Sequence, residues 1–192
     1  MKNSNGLKGV IMALLIALII GAVVYRFANN SKNEHELEDL VELTPIEIAL
    51  QKNLVTDYPQ TPKEVVKCFA EFSKCFYNEE FESDEQLVEL ADKMLELYDD
   101  ELVGYNDHDN YIFDLKTQIK FYKESNYKLS NYRPSASTDV EYFSQDGYEW
   151  ARTWCIFTVK SGKYYKDLNE CFMLRKDDKG HWRIYGWEEI DE

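Results

Sequence analysis

The segment Cys171-Phe172-Met173-Leu174-Arg175-Lys176-Asp177-Asp178-Lys179-Gly180-His181-Trp182-Arg183-Ile184-Tyr185-Gly186-Trp187 decides the fold. Two runs rich in aromatic and branched residues flank a charged turn that holds a glycine, the pattern of a β-hairpin. Phe172 and Leu174 share one face, and Trp182 and Ile184 meet them when the loop closes between Asp177 and Gly180. A hairpin alone is marginal in water, so it needs further strands and a helical cover.

Upstream the chain supplies both. Tyr127 to Tyr132, Val140 to Phe143 and Tyr148 to Val159 alternate with the period of strands, and Ser161-Gly162-Lys163 begins the turn into the last pair, Leu168 to Lys176 and His181 to Ile190. Before about Asn126 the period is helical. Thr44-Pro45-Ile46-Glu47, Thr61-Pro62-Lys63-Glu64 and Ser83-Asp84-Glu85-Gln86 are three capping boxes, each opening a helix. The first helix should end before Tyr58-Pro59. The second buries Val65, Phe69, Phe72 and Phe76, and the third buries Leu87, Leu90, Ala91, Met94 and Tyr98. A fourth is expected from about Asp109 to Lys123. Helices first and antiparallel strands afterwards predict an α+β domain over 45–192, with three to four helices on one face of a curved sheet.

Ahead of that domain, Gly9 to Tyr25 is an unbroken apolar run behind a short tail, 1–8. As a helix it spans roughly 25 Å, and the stems of Lys8 and Arg26 extend it toward the ~30 Å of a hydrocarbon core. The competing reading, a cleaved signal peptide, lacks an A-x-A-like site after the run. The expectation is a transmembrane helix at 9–25, an acidic linker at 26–44, and a single-pass cell-membrane protein. With the N-terminus inside, the large domain is extracellular.

Charge narrows the partners. All 36 acidic residues follow Arg26, against 19 basic ones, a net of −17 for that part of a chain whose total is −14. Such a surface repels nucleic acid and anionic headgroups, and no basic stripe is visible in the linear sequence.

Several stretches resemble a family of uncharacterised single-pass proteins of Gram-positive bacteria. They are Thr61-Pro62-Lys63-Glu64-Val65-Val66, Leu97-Tyr98-Asp99-Asp100-Glu101-Leu102, and Leu174-Arg175-Lys176-Asp177 with Gly180, Trp182, Ile184, Gly186 and Trp187. The order of elements, ending in the Lys-Asp-x-x-Gly-x-Trp-x-Ile hairpin, resembles the nuclear transport factor 2-like cone. That resemblance implies a curved sheet around a hollow; it carries no catalytic residues, because the family has no assigned activity.

The chemistry-bearing residues are few. Cys68 and Cys75 share a helix face roughly 10 Å apart, too far to bridge. A hairpin turning about Lys163 sets Cys155 opposite Cys171, which leaves a disulfide or two free thiols as the alternatives. No C-x-x-C, G-x-S-x-G, Walker, H-E-x-x-H or EF-hand pattern occurs, so no catalytic, cofactor or metal site is implied. Asp107-His108-Asp109 reads as an exposed loop, and His181 with Asp177 or Asp178 as a solvated turn. Tyr98-Asp99-Asp100-Glu101 reads as a helix end, where acids oppose the macrodipole. Aromatics stand out: Trp150, Trp154, Phe172 and Trp182 either line a cleft for a small ligand or peptide, or are covered by the helices. The function these features point to is binding without catalysis, with an enzyme using a polar dyad in the cone as the alternative.

Overall fold

The computed structural model describes residues 43–105 and 107–190. The predicted span at 9–25 and most of its linker lie outside the described residues. No helix among the described residues is long and apolar enough to cross a membrane.

The capping boxes open helices where expected. In α1 (Pro45–Leu50) Thr44 Oγ1 accepts from the Glu47 amide at 3.2 Å, and Glu47 accepts from the Thr44 amide at 2.7 Å. α2 (Pro62–Asn78) repeats the exchange between Thr61 and Glu64. α3 (Asp84–Leu95) is capped by Ser83, but the Gln86 amide oxygen reaches one residue further back, to the Glu82 N–H. α1 stops earlier than the proline demands. The Asn53 side chain accepts from the amides of Val55 and Thr56, offering the backbone a turn that competes with helix.

Two elements differ from the sequence expectation. The acids after Tyr98 do not end a helix: α3 stops at Leu95, and Asp100 starts a six-residue helix, α4 (Asp100–Tyr105). Asp99 Oδ1 accepts from the Glu101 amide, so the acids sit at the favourable, amino end of the dipole. His108 is not in a loop. It is the first residue of α5 (His108–Glu124), and Asp107 is the cap, accepting from the Asn110 amide at 2.9 Å.

Five antiparallel strands follow: β1 (Tyr127–Pro134), β2 (Glu141–Gln145), β3 (Tyr148–Ser161), β4 (Tyr164–Lys176) and β5 (Trp182–Glu189). β3 is central. β1 and β2 lie end to end on one of its edges, and β4 then β5 extend the other side. The β2–β3 turn is Asp146-Gly147 with both φ angles positive (52° and 83°), the two-residue turn whose twist suits a hairpin. Register shifts at Leu129/Asn131 in β1 and Met173/Leu174 against β5 curl the sheet.

One face of the sheet is covered. Ala151, Thr153, Cys155 and Phe157 of β3 point into the core with Phe172 and Leu174 of β4 and Ile184 of β5. Leu174 pairs Ile184, as the hairpin reading requires. α2 lies across this face, burying Val65, Val66, Phe69, Phe72 and Phe76. The segment after α3 covers the β5 edge: Ile184 N–H donates to the Leu97 carbonyl and Asp99 N–H to the Ile184 carbonyl, both at 2.8 Å.

Candidate functional site

Because the sheet curls away from α2 while α3, α4 and α5 arch over its open side, a hollow of about 390 Å³ remains between helices and sheet. α2 contributes Phe69, Ser73, Phe76 and Tyr77; Met94, Leu95 and Tyr98 come from α3 and the segment after it. Leu102 and Val103 come from α4, Tyr111, Leu115 and Gln118 from α5, and Trp187 from β5. Its floor is a ring cluster. Trp187 lies 5.1 Å from Phe69, 5.6 Å from Tyr98 and 6.0 Å from Phe172 between centroids. Such offset and tilted contacts leave ring faces turned toward the space.

The inner polar groups, Ser73, Tyr77, Tyr98, Tyr111 and Gln118, already have partners. Ser73 Oγ donates to the Phe69 carbonyl at 2.9 Å, and Tyr77 OH donates to Gln118 Oε1 at 3.0 Å. Tyr98 and Tyr111 engage each other. Burial raises the titration of all three phenols, so none supplies a phenolate base near neutrality. No lysine or arginine lines the hollow. The one acid-base pair stands at the mouth, where His108 Nε2 is 2.7 Å from Asp92 Oδ1. That hydrogen bond raises the imidazole above its ordinary range, and the ring is half exposed. The inner wall is ring-lined and carries no lysine or arginine, while His108 and the exposed Asp114 stand at the rim, an arrangement that suits a flat, largely apolar ligand.

Residues 1–187 match the domain of unknown function DUF6715. The chain belongs to the DUF6715 family. No curated protein matches it.

In this DUF6715 domain the four aromatics, for which a shared cleft and a helix-covered core are the alternatives in the sequence, are divided between two faces. Phe172, fully buried, lies beneath the hollow against Phe69. Trp182 is buried toward the turn end, its ring 5.7 Å from Tyr142. Trp150 and Trp154 do share a face, but it is the opposite one: Trp154 pairs Cys171, whereas Thr153 pairs Phe172. Trp150 packs there against Phe143 and edge-on to Tyr185 at 5.0 Å. The rings that line the hollow are instead Phe69, Phe76, Tyr77, Tyr98, Tyr111 and Trp187. Of these, Tyr98 and Trp187 stood within the family-like motifs, but only the helix packing brings them together.

The same register separates the cysteines. Cys155 pairs Glu170 on the covered face and Cys171 pairs Trp154 on the other, so the two thiols point away from each other and all four cysteines are free. Burial pushes Cys68 and Cys75 up to about 11 and Cys155 up to about 12, which makes them inert at neutral pH. His181 is not a solvated turn residue. Its ring stacks on Tyr58 at 4.4 Å, while Asp177 accepts from the His181 amide and from Arg183. Among the described residues no group of His, Cys, Asp and Glu is placed to hold a metal ion.

Beside the hollow, Arg175 ties the α3–α4 corner to the sheet. Its guanidinium donates twice to Asp99, at 2.9 and 2.6 Å, and once to Glu101 at 2.8 Å. It also lies over the rings of Tyr148, Trp150 and Tyr185. Carboxylates in the plane and rings above it satisfy the cation on every side, so it is a positioning group for α4.

Proposed function

We propose that this DUF6715 protein is a membrane-tethered binding module, with a nuclear transport factor 2-like cone that takes a small, uncharged, flat ligand without transforming it. The observation that carries the reading is the hollow: its volume lies in the range of small-molecule sites, its walls are aromatic, and its inner hydroxyls and amide are already paired, with the charged Asp114 out at the rim. The order of elements, helices followed by a curled sheet enclosing that space, supports the cone. The apolar run at 9–25 supports a single-pass anchor, with the domain outside the cell. Protease treatment of intact cells tests the side: loss of the domain supports an extracellular placement, and its survival while lysed cells lose it argues against.

Occupancy is tested with a neutral bicyclic probe such as 2-naphthol, followed through Trp187 fluorescence and thermal unfolding. Val103, one-third exposed at the mouth, is the position to block. Wild type should be stabilised by about 2.7 kcal/mol at a hundredfold excess over Kd. Val103→Trp should fold and lose that gain; unchanged binding in this variant refutes the hollow as the site.

A second reading, an enzyme, has the His108–Asp92 pair in its favour, since a carboxylate holding an imidazole at a cavity mouth is an acid-base arrangement. If that pair turns over a ligand, His108→Gln abolishes product formation while leaving probe binding intact.

A further inference from the structure

The structure gathers, at the far end of β3–β4 and α5, a set of lysines and rings that the linear sequence scatters. Residues 120–128 and 160–166 contain six lysines and one acid, Glu124, within a chain of net charge −14. Between these segments lies a concave patch lined by Phe121, Tyr122, Tyr127, Tyr164 and Tyr165. Tyr164 is 83% exposed, Tyr165 62% and Phe121 57%, so three large rings stand in solvent at one end of the molecule. Rings this exposed contribute little to the core, and together they form a surface patch.

The lysines are only partly spoken for. Lys123 pairs with Glu80 at 2.8 Å, Lys166 with Glu189 at 3.3 Å, and Lys120 loosely with Glu124 at 3.8 Å. Lys160 rests over the Tyr165 ring at 5.6 Å, and neither it nor Lys128 or Lys163 makes an ion pair among the described residues. Half-buried Tyr122 and Tyr127 beside the exposed rings of Tyr164 and Tyr165, with ammonium groups around them, are the composition that settles at the headgroup level of a bilayer. The chain also enters the domain at this end. Cys75 Sγ donates to the Pro45 carbonyl, and within one further turn of α2 Tyr77 stacks on Tyr122 and Asn78 brackets Leu129.

We propose that this aromatic–lysine end docks the domain onto the anionic lipid surface of the membrane. The inference rests on the tethered reading for its proximity to lipid, and it adds an orientation: the Gly162 hairpin tip faces the bilayer and the mouth of the hollow is held clear of it. Docking is reversible and salt-sensitive, because it depends on three unpaired lysines and partial insertion of exposed rings.

The test uses the full chain mixed with vesicles of phosphatidylcholine alone or with a third phosphatidylglycerol, carrying bromine on the acyl chains near the headgroup. Tyr164→Trp reports contact, because its fluorescence beyond that of the unsubstituted chain is quenched only when the tip reaches the bromines. Flotation reports tethering separately. Flotation with both vesicle types, with quenching at position 164 only in the anionic ones and its loss in 1 M salt, supports the proposal. Adding Lys160→Gln and Lys163→Gln should lower the docked-to-free ratio roughly 30-fold, at about fivefold per lysine, without changing flotation. Flotation without quenching overturns the docking and leaves the tether standing. Equal quenching in neutral vesicles, insensitive to the lysines, overturns the recognition of anionic lipid. Failure to float with either vesicle overturns both readings.

Discussion

Replacing Glu170 by glutamine should stabilise the domain at pH 8 and leave it unchanged near pH 4. Glu170 occupies the helix-facing side of β4, in register with Cys155 on one neighbour and Glu189 on the other. Burial, and then the Glu189 charge beside it, push its carboxyl up to about 7. It has no hydrogen-bond donor or ion-pair partner among the described residues. The folded pKa is raised above the unfolded one, so the native state binds a proton that the unfolded chain gives up. Stability therefore falls as pH rises from about 4.5 through about 7, and is flat beyond. The ceiling on this loss is roughly 3 kcal/mol. Because the side chain keeps some contact with water, about 1–2 kcal/mol is expected. Glutamine has nearly the same shape and no charge to desolvate. Chemical denaturation of the detergent-held chain at pH 8 and pH 4, wild type against variant, isolates Glu170 and its interaction with Glu189, since the carboxylates remote from them cancel in the difference. A variant whose stability gain is the same at both pH values, or which is weaker at pH 8, would refute the reasoning.

Arg175→Ala should cost about 3–5 kcal/mol, because it strands the Asp99 carboxylate, only 6% exposed, without its bidentate partner. Arg175→Ala combined with Asp99→Asn should cost clearly less than the separate losses added together, as read from denaturant midpoints in a double-mutant cycle. For the cysteines, non-reducing mass analysis should show four free thiols, and a disulfide reagent should label Cys171 first while the other three react only on unfolding. A Cys155–Cys171 bridge in the native chain would mean the β3–β4 register is displaced by one residue.

Much of the fold was legible because it is written locally. Thr44, Thr61 and Ser83 each carry their own cap, and the alternation after Asn126 announces strands wherever they pair. What the sequence left undecided was non-local, and each miss has a specific cause. The β3–β4 hairpin closes through Gly162-Lys163, with Ser161 opposite Tyr164, rather than symmetrically about Lys163. That half-step moves every cross-strand partner by one residue, and with a period of two it sends Cys171 to the other face. The acids after Tyr98 read as a helix end in the sequence because nothing local shows that α3 ends at Leu95 and a new helix starts at Asp100.

Which face of β3 the helices cover is a matter of volume. Hydrophobic size alone points to Trp150, Trp154 and Ile156, yet the covered set is Ala151, Thr153, Cys155 and Phe157. The reason lies in α2, which brings Phe69, Phe72 and Phe76 down onto the sheet. The small Ala151, Thr153 and Cys155 leave room for those rings, with Phe157 and Phe172 meeting Phe69 edge-on, so that the layer closes at normal packing density and Trp150 and Trp154 stand on the outer face. Toward β5 that rule relaxes. Trp187 and Tyr98 are both large and touch, their ring centroids 5.6 Å apart, the sheet curls at the Tyr185 bulge, and space is left open beside the two rings. The hollow is thus the place where the packing that fixes the rest of the core runs out of small partners, and the rings around it lack the contacts that a filled layer would supply.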